Sequence, residues 1–70
     1  MLLLLNKENH MTIEEVAKYF GTGFRACQAL AIGRNNFSLW RKSGRIPMLQ
    51  QYRLEKLTNG ELKAEQEIYD

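Results

Sequence analysis

The chain holds one cysteine, Cys27, and one histidine, His10, and these two scarcities exclude more chemistry than any other feature. No disulfide can form within the chain, which suits a reducing cytosol. A structural zinc site needs four ligands, and a Cys/His nucleophile pair needs both groups within reach of each other. One residue of each kind, isolated in sequence, supplies neither. Cys27 falls inside a helical apolar pattern and reads as a small core residue rather than a reactive thiol. Glu14 and Glu15 are adjacent, so on a helix they point in different directions and do not make a catalytic carboxylate pair. No catalytic residue, no metal site and no cofactor are expected, and the chain reads as a non-enzyme.

Long apolar runs are missing too. The four leucines at 2–5 fall short of a signal-peptide core of about 7–15 residues and of a membrane span of about 20. No basic residue precedes them and no small-residue cleavage site follows, so no membrane partner and a cytoplasmic location are expected. Residues 1–11 read as a flexible N-terminal extension and 12–70 as a single domain. Met11 as a second start, or the leucines as a short strand or an apolar flap on a partner, are the alternatives for that segment. Runs alternating with period two, internal repeats and low-complexity tracts are also absent, which leaves an all-α reading. Seventy residues bury a modest core, so stability is expected to be marginal unless the chain dimerises.

Acidic residues are scarce in the middle of the chain. Arg25, Arg34, Arg41, Lys42, Arg45, Arg53 and Lys56 face one acid, Glu55, across 25–56, a net charge of +6, whereas 1–24 carry −1 and 57–70 carry −3. A basic centre between acidic ends suits a polyanion partner, although a solvated charge run has the same signature.

Helix signals come in close succession. Thr12-x-x-Glu15 is a capping box, with Ile13, Val16, Ala17 and Phe20 as the buried stripe and Gly21 as the left-handed exit. Thr22 caps a second helix whose inner face is Ala26, Cys27 and Leu30; small side chains there let another helix cross closely. A third helix is expected over about Arg34 to Lys42, with Phe37 and Trp40 facing inward beside Ile32, and with Ser43-Gly44 ending it. Pro47 suits the first position of a fourth helix, which runs to about Thr58 with Leu49 or Gln50, Arg53 or Leu54, and Leu57 along its stripe. Asn59-Gly60 stops it. The last ten residues, ELKAEQEIYD, read as a short fifth helix or a fraying end anchored by Leu62.

The stretch ALAIGRNNFSLW, residues 29–40, raises the functional question. A helix-turn-helix needs a small residue in its first helix, a residue tolerating positive φ in the turn, and apolar residues locking the second helix. Cys27, Ala31, and then Ile32, Phe37 and Trp40 stand at those offsets, but the glycine comes two places late, at Gly33. Alanine in the left-handed region costs about 1 kcal/mol relative to glycine. The corner is therefore either slightly strained at Ala31 or displaced by one residue.

FGT at 20–22, ALAI at 29–32, FSLW at 37–40, then RIP, YRLE and LTNGELK together resemble the phage Cro repressors of the all-helical branch, over about residues 12 to 64. The departures are Ala31 where the family has glycine, Gly33 where it often has serine, and residues 1–10, which match nothing. The resemblance implies an all-α domain of four to five helices with a lambda-repressor-like helix-turn-helix. It also implies a sequence-specific transcriptional repressor acting in the host cytoplasm, at the nucleoid, as a homodimer on pseudo-palindromic operator DNA. Helix 3 would enter the major groove. Arg34 suits guanine, Asn35 or Asn36 suits adenine, Ser38 accepts either kind of base edge, and Leu39 packs on a thymine methyl. Thr22, Gly23, Arg25, Gln28, Arg41, Lys42 and Arg45 would hold phosphates, the first two through the positive end of helix 2. The dimer contact is expected from helix 4 with Leu57 and Leu62. Another small phage regulator, such as an activator or excisionase, and a protein-interaction module of antitoxin or anti-repressor type are the alternatives.

Overall fold

Thr12 opens the first helix in the manner its sequence demands. Its hydroxyl accepts from the Glu15 N–H at 3.0 Å, and the Glu15 carboxylate accepts from the Thr12 N–H at 3.0 Å, so two donors at the helix start are satisfied reciprocally. The computed structural model describes residues 11–65, and over that span the chain forms four helices: α1 Ile13–Phe20, α2 Gly23–Leu30, α3 Asn35–Ser43 and α4 Met48–Leu57. No strand occurs among the described residues. Gly21 leaves α1 at φ +96°, Thr22 caps α2 by accepting from the Arg25 N–H at 3.1 Å, and Gly44 closes α3 in the left-handed region, its N–H donating to Trp40 O at 2.8 Å.

The core centres on α2, which packs against each of α1, α3 and α4. Val16, Ala26, Cys27, Leu30 and Leu54 are fully enclosed, and Phe37, Trp40, Ile46 and Leu62 complete the cluster. Ile13, Ala17, Phe20 and Ile32 pack at its edge. The stripe expected for α2 is fully buried, and that of α1 faces the core with Val16 enclosed and Ile13, Ala17 and Phe20 half-buried. Met11, placed by the sequence in the N-terminal extension, is itself a core residue, and its N–H donates to Lys63 O at 2.7 Å. Residues 1–10 lie outside the described residues.

Two expectations for α4 are corrected. Pro47 precedes the helix as its N-cap, at ψ 144°, rather than opening it, and its carbonyl accepts from the Gln51 N–H at 3.0 Å. Of the expected stripe Leu54 is buried, but it is flanked by Gln51 and Thr58, while Leu49, Arg53 and Leu57 are exposed. The polar residues on this face serve the chain that follows. Thr58 Oγ1 accepts from the Leu62 N–H at 3.1 Å, Glu55 Oε1 from the Ala64 N–H at 2.9 Å, and Gln51 Oε1 from the Glu65 N–H at 2.7 Å. Gln51 Nε2 also donates to Ile46 O at 2.7 Å. Residues at i, i+4 and i+7 thus dock the 61–65 segment, which is not helical. Residues 66–70 of the expected fifth helix lie outside the described residues. Leu62 is buried as expected.

The corner between α2 and α3 settles the question of the late glycine. Ala31 takes the left-handed position at φ 60°, ψ 40°, so the turn is not displaced and the strain falls on an alanine. Its N–H donates to Gln28 O and the Ile32 N–H donates to Cys27 O, each at 3.0 Å, which satisfies the last carbonyls of α2. From α4, Arg53 Nη2 donates to Leu30 O at 2.7 Å, placing a cation at the negative end of α2. Replacing Ala31 with glycine is expected to raise stability by about 0.5–1 kcal/mol, the left-handed penalty less the extra freedom gained by the unfolded chain. A thermal unfolding midpoint a few degrees higher checks this; a lower one contradicts it.

Candidate nucleic-acid interface

α3 is amphipathic in one direction only. Phe37 and Trp40 hold it to the core, with ring centroids 5.6 Å apart. Asn35, Ser38, Leu39 and Lys42 are exposed on the opposite side, at the i, i+3, i+4 and i+7 positions that share one helix face. Leu39 is 55% exposed, and no core contact accounts for an apolar side chain there. Arg34 stands at the N-cap in helical geometry, φ −66° and ψ −25°, also exposed. Asn36 lies at the flank and is only half-buried; its amide donates to Gly33 O at 2.8 Å. That bond uses one of its two amide N–H donors and ties the side chain to the turn, whereas Asn35 is exposed.

Gly23 and Phe37 bring the start of α2 against α3. Gly23 is helical, and a Cβ there would sit inside the contact distance of Phe37 Cγ, Cδ2 and Cε2. The glycine is required for close approach, not for its backbone freedom. This juxtaposition places the first turn of α2 beside the first turn of α3, since the Arg34 guanidinium carbon lies 4.8 Å from the centroid of the Phe24 ring.

The end of α2 is electrostatically open. Thr22 Oγ1 satisfies the Arg25 N–H, and Thr22 O accepts from the Ala26 N–H at 3.2 Å. The N–H groups of Gly23 and Phe24 are left directed away from the helix, at its positive pole. α1 differs: Glu14 and Glu15 stand in its first turn, while α2 and α3 have no acid there. No acidic residue occurs between Glu15 and Glu55 in the chain.

The remaining basic residues divide by what they touch. Arg25 and Lys42 are exposed, as is Gln28. Arg41 lies over the outer face of the Phe37 ring, 5.1 Å from its centroid. Arg45 forms an ion pair with Glu65 at 2.7 Å, but the guanidinium side chain remains 57% exposed, where such a pair contributes at most about 1 kcal/mol and competes weakly with another anion. Arg53 is tied to the α2 carboxyl end and to Gln50, so not all of the central positive charge is free.

Cys27 sits beneath this corner, fully buried, with Sγ 4.0 Å from Arg34 O. Burial pushes its thiol above the usual range, offset in part by a hydrogen bond from the Phe37 backbone. It is a packing residue. Gly23 as a packing contact and the contact of Phe24 with Arg34 were not legible in the sequence. A helical glycine in an N-terminal turn, followed by an exposed aromatic, was the available signal. No group of three or more His, Cys, Asp or Glu residues arranged to hold a metal occurs among the described residues, and no helix there is long and apolar enough to cross a membrane.

Comparison with known proteins gives one finding. The family model described as DNA-binding transcriptional regulator Cro matches residues 12–70. No curated protein and no solved structure matches the chain.

Proposed function

We propose a reading of this interface from one premise: the chain belongs to the Cro family of DNA-binding transcriptional regulators. In this reading α3 lies in the major groove of operator DNA and the start of α2 rests on the backbone, the docking shared by helix-turn-helix proteins. Arg34 donates to guanine N7 and O6, Asn35 pairs with adenine, Ser38 bonds a base edge and Leu39 covers a thymine methyl. Asn36 takes a lesser part because its amide is held by Gly33 O. Thr22, Gly23, Arg25, Gln28, Arg41, Lys42 and Arg45 face phosphates. Thr22 keeps a hydroxyl proton to donate while its oxygen caps α2.

The observation that carries the reading is the outer face of α3. Its polar and apolar groups have no partner within the described fold, and they stand beside an open helix end in an acid-free part of the chain. A core-packing corner needs Phe37, Trp40 and Ile32 but has no use for exposed Asn35 and Leu39.

A single module reads few base pairs, so the protein acts as a homodimer on two half-sites about one helical turn apart. Leu49, Tyr52 and Leu57, exposed on the outer side of α4, form the dimer contact in this reading; Leu62 is spent in the core. Residues 12–70 act as the regulatory domain, with the segment before it an extension, and binding to operator represses transcription.

The phosphate set is tested by binding a mixed-sequence duplex across a range of salt. Affinity is expected to fall steeply as salt rises, through release of counterions. Lys42→Ala is expected to make the plot of log affinity against log salt shallower by about 1. An unchanged slope removes Lys42 from the set, and a slope near zero for the parent protein contradicts DNA docking through this face.

A further inference from the structure

Phe24 is a large apolar residue, 47% exposed, in the first turn of α2, and the core gives it no role. Its ring carries Arg34, with the guanidinium carbon 4.8 Å from the ring centroid. A guanidinium over an aromatic face is held by the ring quadrupole, and its N–H groups stay free at the edge. No carboxylate pairs with Arg34 among the described residues, where the one ion pair is Arg45 with Glu65. A salt bridge would hold the arginine as well but would occupy the donors.

We propose that Phe24 is a positioning residue for base reading: its ring holds the Arg34 guanidinium in place at the head of α3, with its donor edge free for a guanine. This rests on the proposed reading that Arg34 faces a base. The physical benefit is pre-organisation, because arginine carries a large side-chain entropy, and part of it is lost before DNA arrives rather than on binding. The geometry that makes this possible is the Gly23–Phe37 approach, which brings the residue after Gly23 beside the residue that begins α3.

The test uses the full chain and a duplex recovered by that chain from a random DNA pool, together with single-base variants of it. Arg34→Ala first identifies the base pair whose discrimination depends on Arg34. Phe24→Leu is expected to reduce discrimination at that same base pair by about 2- to 5-fold, in the range of an exposed cation–π contact, and to leave discrimination at other positions unchanged. Phe24→Tyr, which keeps the ring, is expected to restore it. In an Arg34→Ala background, Phe24→Leu is expected to change nothing further. A uniform loss at all positions, or an effect that persists without Arg34, overturns the proposal and assigns Phe24 a direct backbone contact or a folding role. Full discrimination retained by Phe24→Leu overturns it as well. If Arg34→Ala relaxes no position, the reading of Arg34 as a base contact fails, and the positioning role fails with it. Thermal midpoints of each variant separate loss of fold from loss of reading.

Discussion

Gly23→Ala is expected to destabilise the protein by about 3 kcal/mol, the upper part of the range for overpacking a close contact. The intrinsic preference runs the other way, since alanine in a helix is favoured over glycine by about 1 kcal/mol. The collision decides the sign. The added methyl would overlap the Phe37 ring along one edge, and the ring has no free side to move into. Trp40 packs against it, Arg41 lies over it, and Phe37 is 6% exposed. Relief requires α2 and α3 to separate, which would also loosen the corner at Ala31. For a domain of this size total stability is about 4–10 kcal/mol, so the loss is a large share of the whole. An unfolding midpoint lower by more than about 10 °C is the expected reading. Gly44→Ala is the control: Gly44 has φ +84° with nothing within 4 Å, so only the left-handed penalty of about 1–2 kcal/mol applies. A midpoint for Gly23→Ala equal to or above that of the parent chain contradicts the close approach of α2 to Phe37.

The second large effect concerns recognition. On the proposed reading, Asn35→Ala is expected to weaken binding to the preferred duplex by about 1–3 kcal/mol while barely changing the unfolding midpoint. Asn35 is exposed on the outer face of α3 and outside the core cluster, which is why the two effects separate. The loss should be confined to sequence-specific binding, with affinity for mixed-sequence DNA nearly unchanged, because a base contact adds nothing to phosphate neutralisation. Asn36→Ala should act differently. It breaks the bond to Gly33 O and is expected to move stability more than specificity. If Asn35→Ala leaves the preferred duplex bound as tightly as before, Asn35 is no reader.

What could be read in the sequence was what local chemistry dictates. The Thr12 box, the Thr22 cap, the helix stops at Gly21 and Gly44, and the inner face of α2 are each set by a few neighbouring residues, and each stands where it was expected. The face of α3 was legible for the same reason, since Phe37 and Trp40 define its inner side. The turn was legible only as two alternatives, because strain at an alanine depends on whether the surrounding packing holds it. Here the crossing of α2 and α3, with Arg53 on the end of α2, holds Ala31 in the left-handed region. The inner side of α4 was misread because periodicity finds apolar stripes. Gln51, Glu55 and Thr58 bind the backbone of the segment that follows, and an apolar periodicity does not register such a face. Met11 was misplaced because its partner is Lys63 O, a long-range contact that no local pattern encodes. Phe24 has no place in any apolar stripe, and its contact with Arg34 joins two helices that no local pattern relates.

The measurement that bears most directly on the central claim is selection of bound duplexes from a random DNA pool by the full chain, at low and at moderate salt. A two-fold symmetric site is predicted, with half-sites about one helical turn apart and with enrichment that survives moderate salt. Retention of DNA without enrichment of any sequence would contradict reading by α3 and leave only backbone attraction. Retention of nothing would contradict the DNA-binding role proposed for this face.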